Sequence, residues 1–120
     1  MLNVTVASIG ELAIFGCEGR IVERESASKL CDAVTSQKDA RIVVLELSEV
    51  RAIGGGGLGM LAFLQRWARD HNIRFLLFHP SRSVRNRLKR ARSIAEFYIA
   101  SLEEMKALLA YANSRYAVAA

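Results

Sequence analysis

Residues 41–47, RIVVLEL, form a nearly unbroken apolar run. The chain then passes through SEVRAI into four consecutive glycines and a helical pattern, LGMLAFLQRWARDH, at 58–71. A second apolar run, IRFLLFH, follows at 73–79. Runs this short cannot span a membrane, and read as strands covered on both faces. Two such strands joined through a helix make a parallel crossover, which commits the chain to an α/β fold.

The remaining segments fit around that unit. LNVTVA (2–7) and ELAIFGC (11–17) are short β-rich runs, and Ser8, Ile9 and Gly10 between them suggest a hairpin turn. ESASKLCDAVTSQ (25–37) has helical spacing at Ala27, Leu30, Cys31 and Val34. Pro80 cannot donate to a ladder, so it ends the strand at 73–79 and leads into a helix over 82–92. EFYIA (96–100) reads as an edge strand, and SLEEMKALLAYANSR (101–115) as a closing helix. Ser101 and Glu104 have the spacing of a capping box, which also explains the acid pair Glu103 and Glu104. The predicted order is β-β-α-β-α-β-α-β-α: a mixed, mainly parallel sheet of 4–5 strands with about 4 helices. The 120 residues make one domain, 1–120, with a core over 3–113 and a tail at 114–120 expected to fray.

Composition narrows the function classes. An apolar fraction of 52% supports a packed core. MLNVTVASIG lacks a basic start and a signal-type apolar stretch, so the expectation is a cytoplasmic protein with no transmembrane segment. Cys17 and Cys31 are too few for a disulfide framework and read as reduced thiols. His71 and His79 sit at no metal-ligand spacing, and neither cysteine has a neighbouring histidine. No catalytic set, metal site or cofactor is predicted. The net charge of +5 is uneven: SRSVRNRLKRARS (81–93) holds Arg82, Arg85, Arg87, Lys89, Arg90 and Arg92 without an acid. That is either a solvated helix face or an anion-facing surface, with Arg82, Arg85, Arg87 and Lys89 as candidates. No specific nucleic acid is expected.

Gly54, Gly56 and Gly59 match G-x-G-x-x-G, but any glycine-rich run does so. The dinucleotide fingerprint directly follows a strand and needs an acid about 20 positions on. Here SEVRAI is read as intervening, and RFLLFH around 74–79 carries no acid. A phosphate-binding P-loop needs Lys and Ser or Thr after its last glycine, where this chain has Leu58 and Met60. Free N–H groups at a helix start remain able to hold an anion.

Taken together, the elements and several short motifs resemble the STAS domain, found in bacterial anti-sigma factor antagonists and sulfate-transporter tails. The resemblance spans about 3–113. It rests on GRI (19–21), VVLELSEV (43–50, with Glu46 for the usual Asp), GLGML (57–61), HPSRSVRNRL (79–88) and SLEEMKALL (101–109). The departure is the glycine run. The family's switch segment reads Asp-Ser-Ser-Gly-Leu-Gly or Asp-Ser-Thr-Gly-Leu-Gly, and this chain has Gly54-Gly55-Gly56-Gly57-Leu58-Gly59. By that resemblance Gly55 replaces the phosphorylated serine, Gly54 the preceding acid and Gly56 the second hydroxyl. Gly57 and Gly59 would be the glycines the fold needs. Glycine has no oxygen to accept a phosphoryl group, so the family's phosphate switch has no acceptor at Gly55.

The helix after the glycines carries two apolar stripes. Leu61, Leu64 and Ala68 suit the sheet; Met60, Phe63 and Trp67 form a second stripe about 100° away. The second stripe is either a partner surface or packing against the helix at 25–37. The resemblance implies a non-enzymatic regulator of transcription. Its partner, an anti-sigma factor or related kinase-type protein, would meet Gly54, Gly55, Gly56, Gly57, Leu58, Met60, Phe63 and Trp67. A homodimer stays open. The alternatives are a domain binding an anion, nucleotide or lipid headgroup, and an auxiliary transporter subunit.

Overall fold

The computed structural model describes residues 1–37, 39–92 and 96–119, the last five of these by backbone alone. Strands β1 (Leu2–Ile9) and β2 (Leu12–Ile21) form an antiparallel hairpin. Ile9 pairs with Leu12, so Gly10 and Glu11 make a two-residue turn, and Gly10 takes φ +58° at its first central position. That left-handed conformation suits glycine and matches the twist of the flanking strands. There follow α1 (Arg24–Thr35), β3 (Ile42–Ile53), α2 (Gly55–Asp70), β4 (Arg74–Phe78), α3 (Arg82–Arg90), β5 (Ile99–Ala100) and α4 (Leu102–Ala119). The sheet order is β1-β2-β3-β4-β5, with β2 through β5 parallel.

Sequential parallel strands joined by crossovers of one hand put every connecting helix on the same face. The core shows this: Leu30 and Val34 of α1, Leu61 and Leu64 of α2, and Val84 and Leu88 of α3 pack with Phe15, Val43, Leu45 and Leu47. The opposite face is served by α4, whose Met105 and Ala112 cover Leu12, Val44 and Leu76. The three helices after β2, β3 and β4 therefore all begin at one edge of the molecule, the carboxyl ends of the parallel strands. The fold is the α/β arrangement read from the sequence, with five strands and four helices.

Some boundaries differ, and one difference bears on function. The hairpin turn lies at Gly10–Glu11, not at 8–10, and β2 runs on to Ile21. β3 extends to Ile53, so SEVRAI is strand rather than an intervening loop. Register shifts between Gly16 and Glu18, and between Gly19 and Arg20, let β2 follow β3 to that end. The glycine run thus directly follows a strand, and the case against a dinucleotide fingerprint now rests on the missing acid alone. α2 begins at Gly55 rather than Leu58, so Gly55–Gly57 are its first turn. β5 has two residues instead of five. α4 continues to Ala119, past the predicted end at 115, and the fraying expected at 114–120 falls largely outside the described side chains.

Two helix starts are closed by their own side chains. Ser101 and Glu104 form the capping box: Glu104 N–H donates to Ser101 Oγ at 3.1 Å, and Ser101 N–H to Glu104 Oε1 at 2.9 Å. Ser81 caps α3, accepting from Val84 N–H at 3.4 Å while its hydroxyl donates to Val50 O at 2.6 Å. It thereby ties α3 to β3 as well as starting it. Ser81→Ala removes both bonds, and we expect a loss of about 1–2 kcal/mol in urea unfolding. Ser28→Ala, on the exposed side of α1, should be neutral within about 0.5 kcal/mol.

Candidate functional site

Gly54 is the N-cap of α2, with φ −101° and ψ −175°. Its N–H donates to Ile21 O at 3.0 Å, and its carbonyl accepts from Leu58 N–H at 3.0 Å. The end of β2 and the start of α2 are thus joined through backbone alone. An N-cap normally offers a side-chain oxygen to the free N–H groups of the first turn. Gly54 has none, and Gly55 and Gly56 are exposed with no side chain to shield them.

The glycines divide sharply by what a side chain would meet. A Cβ on Gly57 would lie 2.6 Å from Ile21 O and 2.7 Å from Ile53 Cγ1, closer than real contacts allow. Gly57 is therefore required. A Cβ on Gly54 would touch Val22 Cα at 3.5 Å, an ordinary contact, and on Gly55 or Gly56 would meet nothing within 4 Å. Neither Gly55 nor Gly56 has a positive φ. These positions could carry side chains and do not. Gly59 departs from expectation: it too faces open space, so the fold does not demand glycine there.

The two stripes of α2 are also sorted by packing. Leu61, Leu64 and Ala68 are buried against the sheet. Leu58 is core rather than surface, and Met60 is a correction too, since it is equally buried at 8% and joins the main core. The neighbouring α1 covers it, which periodicity within one helix cannot show. Trp67 is half-buried against the same core, its ring 4.9 Å from that of His71, and so is no free anchor either. Phe63 remains, 50% exposed. It stands on the rim of a shallow groove of about 400 Å³ between the two helices, lined by Ala27, Cys31 and Asp32 of α1 and Gly56 and Met60 of α2. Val22, 40% exposed and beside Gly54, extends this surface. Sequence reading missed Val22, because only the bond from Gly54 to Ile21 brings it there.

The other candidates lie elsewhere. Arg82, Arg85 and Lys89 are exposed on α3, and Arg87 is half-buried. Among the described residues no hydrogen bond or ion pair joins them to the glycine turn. Three bases fall in the last turn of α3, where cations complement the helix dipole. His71 ends α2 with Nδ1 2.7 Å from Trp67 O. His79 takes φ +53° after β4, its Nδ1 3.6 Å from Glu46 Oε2. Glu46 itself accepts from the N–H and hydroxyl of Ser48. Among the described residues no three His, Cys, Asp or Glu converge as metal ligands, and no helix is long and apolar enough to cross a membrane.

The sequence matches the STAS domain family over residues 5–105. The chain belongs to that family. Its fold resembles the anti-sigma factor antagonist SpoIIAA in its unphosphorylated form, with a TM-score of 0.72 over 89% of this chain and 96% of that one, at 13% identity. The Bacillus cell fate determinant SpoIIAA in the phosphorylated form gives 0.67 over 89% and 99%, at 13% identity. An anti-sigma factor antagonist from Mycobacterium paratuberculosis gives 0.69 over 92% and 93%, at 18% identity. Comparison with curated proteins finds no match.

The glycines should respond differently to substitution. Gly57→Ala should lower stability by about 1–3 kcal/mol or more, because the clash is with backbone. Gly55→Ala should be neutral or stabilising by up to about 1 kcal/mol, and Gly55→Ser should fold like the parent. Urea unfolding of the three variants checks this. The thiols make a second contrast. Burial, and then the charge of Glu46, push Cys17 up to about 12. Burial, and then Asp32, raise the half-buried Cys31 less completely. A thiol reagent at pH 8 should label Cys31 first and Cys17 only on unfolding. A raised thiol pKa keeps its stabilisation below the ordinary value of 9.0 and loses it toward about 12, so Cys17 should add an alkaline limb to the stability curve.

Proposed function

We propose that this STAS domain is a non-enzymatic binding module of the anti-sigma factor antagonist kind, acting on transcription in the cytoplasm and held permanently in its binding-competent form. The partner class is an anti-sigma factor or a related kinase-type regulator. The contact surface is the turn at Gly54, Gly55 and Gly56, with Val22 and Phe63 on either side and the α1–α2 groove between them. The observation that carries this reading is the bare first turn of α2. Gly55 and Gly56 are exposed, have room for side chains, and carry none. SpoIIAA has been seen both unphosphorylated and phosphorylated. A phosphoryl group adds about −1.5 to −2 of charge, enough to break an interface that lacks cations to receive it. With glycine at position 55 that charge cannot be placed there, and regulation would pass to the partner or to the amount of protein.

The test is to mix the purified chain with the kinase-type anti-sigma factors of its own genome, with ATP and Mg²⁺. We expect a complex by calorimetry and no phosphate on residues 54–57 by mass spectrometry. Phe63→Ala should weaken binding by about 2 kcal/mol, roughly 30-fold, as an exposed aromatic anchor does, and leave the melting temperature within a degree or two. Gly55→Glu should also weaken it, by placing charge in the bare turn. Absence of any complex, or an unchanged affinity for Phe63→Ala and Gly55→Glu together, overturns the proposal.

A further inference from the structure

The β5 edge of the sheet carries a second surface with a different chemistry. β5 is the edge of the sheet, opposite β1. Leu77 N–H donates to Tyr98 O at 2.9 Å, and Leu77 stands opposite Ile99 in the parallel register. In a parallel pair of this register the strand alternates, so Tyr98 and Ala100 face β4 with their backbone groups. The N–H and C=O of Ile99 then point outward, unpaired within the sheet. Two adjoining cavities, of about 530 and 230 Å³, open at this edge, and Ile99 and Arg85 line both. Together they make one groove between α3 and the start of α4. Its lining is mainly apolar: Phe78, Ile99 and Leu102 in one half, Leu88 and Phe97 in the other. Tyr98, Ile99 and Leu102 are exposed by 50%, 37% and 59%, an apolar cluster that a fold of this size has no internal reason to show.

One wall is cationic. Arg85 and Lys89 fall at i and i+4 of α3, Arg92 lies just beyond its end, and all three line the groove, while Val84 and Leu88 anchor the helix from below. Arg92 is paired at 3.5 Å with Glu96, the one acid that lines the second cavity among the described residues. Arg85 and Lys89 pair with no acid among the described residues. Outside the groove, at the start of α4, Glu104 is held by Tyr98 and Ser101, and Glu103 lies 3.9 Å from Lys106. The groove is therefore positive along α3, apolar along its floor, and offers one free backbone donor and acceptor. A small anion would use the wall and leave the floor wet. A strand would use all three.

We propose that the α3–β5 groove docks an acidic, extended segment of a partner protein, which adds a short strand to the edge at Ile99. Its alternate apolar side chains fill the two cavities, and its carboxylates meet Arg85, Lys89 and Arg92. This surface shares no residue with the glycine turn, so it does not depend on the function proposed above.

The probe is a capped nine-residue peptide alternating Asp or Glu with Val or Ile, titrated into ¹⁵N-labelled protein at low salt. The same peptide with Lys at every acidic position, and sodium tripolyphosphate, serve as controls. We expect saturable shifts centred on Ile99, Ala100 and Leu102, slowed hydrogen exchange at the Ile99 amide, and an affinity that falls steeply with salt. The joint variant Arg85→Glu with Lys89→Glu should weaken binding at least tenfold. Should that pair compromise folding, the single exposed changes Arg85→Ala and Lys89→Ala should each weaken it about threefold. Three results would overturn the proposal: no shift at Ile99 with peptide at 1 mM, equal binding of the lysine peptide, or the same shifts and affinity from tripolyphosphate, which would make the groove a small-anion site. Self-association of the charge-reversed pair, with peptide binding by the parent absent, would show that the cations only guard the edge.

Discussion

The start of α2 meets the end of β2 backbone to backbone, with no side chain between them. Gly54 donates its N–H to Ile21 O, and one turn later Gly57 presses against the same carbonyl. A single methyl group at Gly57 would sit 2.6 Å from that oxygen. The contact fixes where α2 starts, and with it which residues stand at the carboxyl edge of the sheet. It places Val22 beside Gly54, lets α1 close over Met60, and leaves Phe63 on the rim. If α2 were lifted off Ile21, the exposed turn and its flanking apolar groups would separate. The glycine run thus has two parts with opposite physical meanings: one residue without which the layers cannot meet, and neighbours whose side chains nothing in the fold forbids.

The second consequence is electrostatic. A helix start exposes free N–H groups and the positive end of its dipole. A side chain at the N-cap would satisfy one of these donors, as Ser81 does for α3 and Ser101 for α4. α2 alone of these three begins on a residue without a side-chain oxygen. Its first turn is left to water or to whatever binds there. The same bareness therefore leaves backbone donors open at the start of α2.

Much of the fold was legible because it rests on periodicity. The apolar runs at 41–47 and 73–79 and the stripe at Leu61, Leu64 and Ala68 follow from one element meeting one layer. The site was less legible because it depends on contacts between elements. Met60 lies on a second stripe of α2, and only the position of α1 decides that it is core. Gly57 and Gly59 look equivalent in sequence, yet only Gly57 faces Ile21. SEVRAI contains Ser, Glu and Arg, and reads as a loop because its solvent-facing side chains are polar. Its backbone nonetheless pairs with β2 through Ile53, which register shifts in β2 make possible. In each case the missing information was a distance between segments far apart in the chain.

The charge on α3 shows where a bland reading and a functional one separate. Arg87, Lys89 and Arg90 in the last turn are explained by the dipole, and would be expected on any helix ending in solvent. Arg85 is not. It lies in the middle of the helix, lines both halves of the groove, and has no acidic partner among the described residues. A guanidinium in that position is not required by α3, whose hold on the sheet comes from Val84, Leu88 and the Ser81 cap. Nor does it stabilise the short strand it overlooks, since β5 is tied to β4 by backbone. What Arg85 does contribute is charge beside an open sheet edge and an apolar floor, and that combination distinguishes this surface from the neutral, glycine-lined turn of α2. The two surfaces differ in chemistry and share no lining residue.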